Sequence, residues 1–137
     1  MNEAGEAPRS AWTEYLGCRT EEAGPGHARL VLLIERHHAN RDGSVHGGVV
    51  SSLMDSAMGV ALRASYGPED SDFLGHATLE MNVSYLRAAR LGERLTAEAR
   101  LLRQGHSIVV GEVEVRDPSG DLAAKGRLTY FIHRQHQ

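Results

Sequence analysis

Between Gly47 and Ala64 the apolar residues Val50, Leu53, Met54, Ala57 and Ala61 recur at spacings of three and four, the period of one long helix with a continuous apolar face. That face has to be covered, and the rest of the chain offers strands to cover it. Upstream, Gly26 to Ile34 reads as a strand and is followed by the polar loop ERHHANRDGS. Downstream, the linker GPEDSD leads into Thr78 to Leu86, which alternates with Leu79, Met81, Val83 and Tyr85 on one face and Thr78, Glu80, Asn82 and Ser84 on the other. Arg94 to Leu102 alternates through Leu95, Ala97, Ala99 and Leu101, Ile108 to Arg116 is rich in valine, and Leu122 to Ile132 forms the last strand. Turn signals at Leu91-Gly92-Glu93, Gly105 and Asp117-Pro118-Ser119-Gly120 separate them. One strand, one long helix and four consecutive antiparallel strands predict an α+β domain in which the helix lies against one face of a sheet. Residues 1–9 read as a loose tail and Ser10 to Leu16 as a short helix capped by Ser10. The expected division is therefore a tail and short helix over 1–25 and the domain proper over 26–137.

Length and composition narrow the class. A chain of 137 residues suits one domain with a core large enough to need no staples. Cys18 is the sole cysteine, which excludes an intrachain disulfide and a multi-cysteine zinc site and fits a reducing compartment. The acidic N-terminus MNEAGEAPRSAWTEYLG has no apolar core, so neither a signal peptide nor a membrane anchor is expected, and a cytoplasmic location is. A net charge of −3 with interspersed signs gives no basic stripe for nucleic acid. Lys125 is the only lysine among otherwise arginine bases, and arginine suits a few bidentate phosphate contacts.

The chemistry concentrates in Asn40 to Asp55, NRDGSVHGGVVSSLMD. Two glycines entering a helix leave backbone N–H groups uncovered, and with the helix dipole these can hold an oxygen that gains negative charge. A tight turn that needs permissive dihedrals explains the same glycines, and both readings hold together. At about 100° per residue, Gly48, Ser52, Asp55 and Gly59 share a second helix face made almost wholly of small residues. A solvated face would carry Lys, Glu or Arg, so the carboxylate of Asp55 stands out as a working group. His37, His38, His46 and His76 suggest a zinc site only at first sight, because none has the i, i+4 helical spacing and His37 and His38 point oppositely in an extended segment. Ser51, Ser52 and Ser56 lack a G-x-S-x-G elbow, and Cys18 lacks a catalytic signature.

Asn40-x-x-Gly43-x-x-His46-Gly47-Gly48, with Asp55 in the following helix, resembles the PaaI-type hotdog-fold acyl-CoA thioesterases. The likeness continues through the Arg-Ala-x-x-Gly turn and final hairpin and covers roughly residues 26 to 132. The resemblance implies a sheet wrapped around the long helix, and two subunits whose sheets become continuous and whose active sites are shared. It implies that the N–H of Gly47 polarises the thioester carbonyl and that Asp55, from the partner subunit, is nucleophile or general base. Asn40 would position substrate or water, His46 would support the loop and the thioester, and Thr78 would orient the attacking water. The phosphates of coenzyme A need cations or backbone donors, for which Gly48, Arg87, Arg90, Arg103 and the Gly105-His106-Ser107 turn are the candidates, and the resemblance points to the last of these. No metal and no separate cofactor is implied, and a homotetramer of paired dimers is the commoner family form. A non-catalytic acyl-CoA-binding protein on the same fold is the alternative function; a dehydratase would want a histidine with an acid in a different helix arrangement. Acyl specificity would depend on side chains such as Met54, Met58, Phe73 and Leu74.

Overall fold

The computed structural model describes residues 9–135. The expected tail, apart from Arg9, lies outside the described residues. The elements are α1 (Ala11–Leu16), β1 (Arg19–Gly24), β2 (His27–Leu33), a 3-10 turn (Arg36–His38), α2 (Gly47–Ala64), β3 (Phe73–Tyr85), β4 (Arg94–Gln104), β5 (Ile108–Arg116) and β6 (Leu122–Arg134). All six strands form one antiparallel sheet in the order β1-β2-β4-β5-β6-β3. α2 packs on one face of it, which is the hotdog arrangement implied by the resemblance.

Local sequence explains the helix limits. His46 caps α2 by accepting the Gly48 N–H at Nδ1 (2.8 Å), and Ser65 closes the far end by donating its hydroxyl to the Ala61 carbonyl (2.8 Å). Leu53, Met54, Ala57, Met58, Ala61 and Leu62 are fully buried against Leu95, Ala97, Ala99, Val113, Leu128 and Ile132. Gly111 on the facing sheet makes room for the Met58 side chain. A Cβ added at Gly111 would stand 2.3 Å from the Met58 methyl and 2.9 Å from the Arg100 carbonyl oxygen.

Three features depart from the sequence reading. First, β1 was not expected. Its sequence, RTEEAG, shows no apolar alternation because it is an edge strand, mostly exposed and paired only with β2. The segment before Gly26 is therefore continuous with the sheet, and Leu16 and Cys18 are in the core. Second, β3 begins at Phe73, directly after the GPEDSD linker and five residues before the expected strand start at Thr78. Third, its faces are not those of simple alternation. Thr78 pairs with Tyr130 and Glu80 with Thr129, so Leu79 is an extra residue in a β-bulge. The bulge swaps faces: Thr78 points at α2 on the same side as Met81 and Val83, and Leu79 is 57% exposed.

α1 is held by a buried histidine. The Glu35 N–H donates to His38 Nδ1 (2.9 Å), which leaves the proton on Nε2, and Nε2 donates to the Leu16 carbonyl (2.7 Å). Burial lowers the pKa of His38 below its ordinary 6.5. The unfolded chain thus binds this proton more readily, so the His38 contribution to stability is complete above pH 6.5 and is lost as pH falls through 6.5 towards the lower folded value. The thermal midpoint is expected to drop between pH 7 and 5, before the carboxylates titrate. His76, also lowered by burial, acts in the same direction. In His38→Gln the midpoint should start lower and fall less over that range; an equal fall would remove His38 as a cause.

Candidate active site

Asp55 sits in the third turn of α2, half-buried, with its side chain directed at β3 and β6. Thr78 Oγ1 donates to its Oδ1 at 2.8 Å, and the Tyr130 hydroxyl donates to the same oxygen in a short hydrogen bond. Oδ2 is left for other partners. Tyr130 is fully buried, and burial, reinforced by the Asp55 charge, pushes its phenol far above the ordinary value. It therefore stays protonated and donates to Asp55. Sequence reasoning missed Tyr130, since a tyrosine in an apolar strand reads as core. Its pairing with Thr78 across β3 and β6 is what brings it to Asp55.

The other sequence candidates lie elsewhere. Gly47 is the first residue of α2, eight residues and about 12 Å along the axis from Asp55. The Gly48 N–H is taken by His46, whereas the Gly47 N–H has no acceptor among the described residues. A Cβ at Gly47 would meet the Tyr85 ring at 3.6 Å, which places this glycine beside the far end of β3. Asn40 opens the loop before the helix: its backbone N–H donates to the Ser44 carbonyl (2.7 Å) and its amide Nδ2 reaches Ser44 Oγ (3.3 Å). Gly43 in that loop adopts φ of 85°, and Arg90 braces it by donating to the Asp42 carbonyl (2.7 Å).

The cationic candidates divide between two ends of the sheet. Arg87 is paired with Asp117 (3.1 Å) and Asp121 (2.7 Å) beside the start of β6. The Gly105-His106-Ser107 turn, with Arg103 before it, lies beside Phe131 and Ile132. Ala123 to Phe131 is eight residues, roughly 26 Å of strand, so one chain does not bring Arg87 and the turn together.

Asp55 and Thr78 line a cleft of roughly 750 Å³ between α2, α1 and the start of β1. Gly59, Val60 and Arg63 continue its wall along the helix, and Trp12, Thr20 and Leu30 face them. Met54, Met58, Phe73 and Leu74 do not line it: the methionines are buried against the sheet, Phe73 stacks on Tyr66 with ring centroids 4.1 Å apart, and Leu74 is exposed. The histidines have separate tasks. His38 binds Leu16, His46 caps α2, and His76 accepts from Arg63 Nη1 (3.1 Å). Among the described residues no group of three or more His, Cys, Asp or Glu is placed to hold a metal ion, and no helix is long and apolar enough to cross a membrane.

A family model described as the thioesterase superfamily matches residues 42–124. Human acyl-coenzyme A thioesterase 13 is 30% identical over 111 residues, which span 80% of this chain and 76% of that protein. A conserved protein of Pseudomonas aeruginosa, 36% identical, superposes with a TM-score of 0.81 over 90% of this chain and 94% of that one. A mutant form of the phenylacetic acid degradation protein PaaI of Thermus thermophilus, 27% identical, gives a TM-score of 0.78 over 89% of this chain and 98% of that one.

Proposed function

The chain belongs to the thioesterase superfamily and is a thioester hydrolase, and from that premise we propose that it cleaves acyl- or aryl-coenzyme A thioesters to the free acid and coenzyme A at a site shared by two copies of the chain. The observation that carries this reading is the separation of two half-sites. One is the Asp55 carboxylate with Oδ1 held by Thr78 and Tyr130 and Oδ2 left over; the other is the unfilled N–H of Gly47, about 12 Å along the same helix. One thioester carbonyl is too small to meet both in one chain.

A second copy resolves the separation. β3 is a thirteen-residue strand at the sheet edge, with Leu74, Leu79, Tyr85 and Leu86 exposed on or beside it. Such an edge is a template for pairing, and a two-fold contact is self-complementary. Antiparallel pairing of two β3 strands sets the Thr78 part of one beside the Tyr85 part of the other, and hence Asp55 of one copy beside Gly47 of its partner.

In that arrangement Oδ2 of Asp55 either attacks the thioester carbon, expelling the coenzyme A thiolate and leaving a mixed anhydride that water hydrolyses, or takes a proton from water that attacks the same carbon and expels the thiolate. Both routes place negative charge on the carbonyl oxygen, where the Gly47 N–H at a helix N-terminus stabilises it. Asn40 and His46 hold the loop and the first turn from which this amide projects. The same pairing lets Arg87 of one copy and the Gly105-His106 turn of the other approach a single coenzyme A. The test is free-thiol release over a panel of aryl, short-, medium- and long-chain acyl-coenzyme A substrates. Turnover of at least one is expected; tight binding of all without thiol release would replace the proposal by the non-catalytic acyl-CoA-binding alternative.

A further inference from the structure

Among the described residues the charged groups that line the cleft are Arg9, Arg63 and Asp55. Arg9 donates to the Cys18 carbonyl, and Asp55 has one oxygen committed to Thr78 and Tyr130. Arg63 donates one N–H to His76 Nε2, which must accept and is therefore neutral. Burial, followed by the Arg63 charge, lowers the His76 pKa below the ordinary histidine value, in agreement with that assignment. Burial also lowers the pKa of Arg63, yet no carboxylate lies within ion-pair distance of it among the described residues. Arg63 is exposed, and its guanidinium faces the cleft with a neutral imidazole as its one hydrogen-bond partner among the described residues, so the remaining donors of its planar fork are open to a bidentate acceptor.

Its position relative to the chemistry is defined by Gly59. The bare face of Gly59 lies one helical turn, about 6 Å, beyond Asp55, and a Cβ there would stand 3.5 Å from Arg63 Nη1. Arg63 therefore folds back along the helix towards the catalytic carboxylate, over a wall position that has no side chain. The geometry points to an acyl group that ends in a carboxylate, the mono-coenzyme A thioester of a short dicarboxylic acid, with Arg63 as the specificity-determining residue that binds its far end. The separation suits an acyl chain of about four to six carbons at roughly 1.5 Å per bond. An alkyl acyl end filling the cleft would strip water from this exposed guanidinium without giving it a partner, which is costly. The inference rests on the acyl-coenzyme A reading above.

The test compares adipyl- and hexanoyl-coenzyme A, which match in length and differ in the terminal carboxylate. The wild-type kcat/KM is expected to favour adipyl-coenzyme A at least tenfold. In Arg63→Met the ratio of the two values should fall at least tenfold, and Arg63→Lys should recover part of it. A second readout does not need turnover: Trp12, the sole tryptophan, lines the cleft, so monomethyl adipate and methyl hexanoate, whose ester ends stand in for the thioester, can be titrated against its fluorescence. Monomethyl adipate should bind more tightly than methyl hexanoate, and Arg63→Met should abolish the difference. Hydrolysis of hexanoyl-coenzyme A with no preference for adipyl-coenzyme A overturns this inference and leaves the thioesterase proposal standing. Selective binding of monomethyl adipate through Arg63 without any thiol release does the reverse. Neither selectivity nor release overturns both.

Discussion

Asp55→Asn is expected to lower kcat about a thousandfold towards every acyl-coenzyme A that the wild type cleaves, with no loss of fold. Asparagine has the size of aspartate, and its amide oxygen can still accept from Thr78 and Tyr130, so the half-buried site keeps its hydrogen bonds. What disappears is the charge and lone-pair basicity of the second oxygen, the atom that those two donors leave to the substrate. A change in KM alone would assign Asp55 to binding. A loss under tenfold, with unchanged far-UV circular dichroism, would remove it from the chemistry altogether.

Gly47→Pro should lower kcat by about 10²–10³-fold, the effect of losing one oxyanion donor worth roughly 2.7–4 kcal/mol. The substitution is unusually specific here. Gly47 is the first residue of α2, where proline is well tolerated because that amide has no helical acceptor. His46 before it is already extended, with φ −67° and ψ 134°, as the residue before a proline should be. The nearest atom to the new Cβ is 3.6 Å away on the exposed Tyr85 ring, so the thermal midpoint should be unchanged. Gly47→Ala, which keeps the N–H, should retain most of the rate.

The two variants together test the shared site. Each is inactive alone, but in a mixed dimer the Gly47 of the Asp55→Asn chain meets the Asp55 of the Gly47→Pro chain at one of the two sites. Unfolding and refolding an equal mixture should restore roughly a quarter of the wild-type rate, from statistical pairing in a two-fold dimer. A mixture that remains as inactive as its components would place Asp55 and Gly47 in separate functions.

Much of this was legible along the chain. The limits of α2, the α1 cap at Ser10 and the turn at Asp117 to Gly120 follow from spacing, capping residues and turn chemistry within a few neighbours. Asp55 stood out because its helix face is otherwise bare, and the structure places its carboxylate on the floor of the cleft. β1 was not legible, since an exposed edge strand carries no apolar alternation. Arg63 and His76 were not recognised as partners, because thirteen residues and a change of element separate them.

Apart from β1, the sequence by itself determined which segments are helix or strand and which residue types stand ready for chemistry, because caps, turns and apolar periods act over a few residues. Only the tertiary structure decided which groups meet. Simple alternation sends Thr78 away from Met81 and Val83, but pairing with β6 leaves Leu79 unmatched, and that one bulged residue turns the Thr78 hydroxyl to Asp55 beside Tyr130. Strand register is fixed by the partner strand and by the packing of the sheet on α2, so the residues nearest Thr78 in sequence carry no record of it.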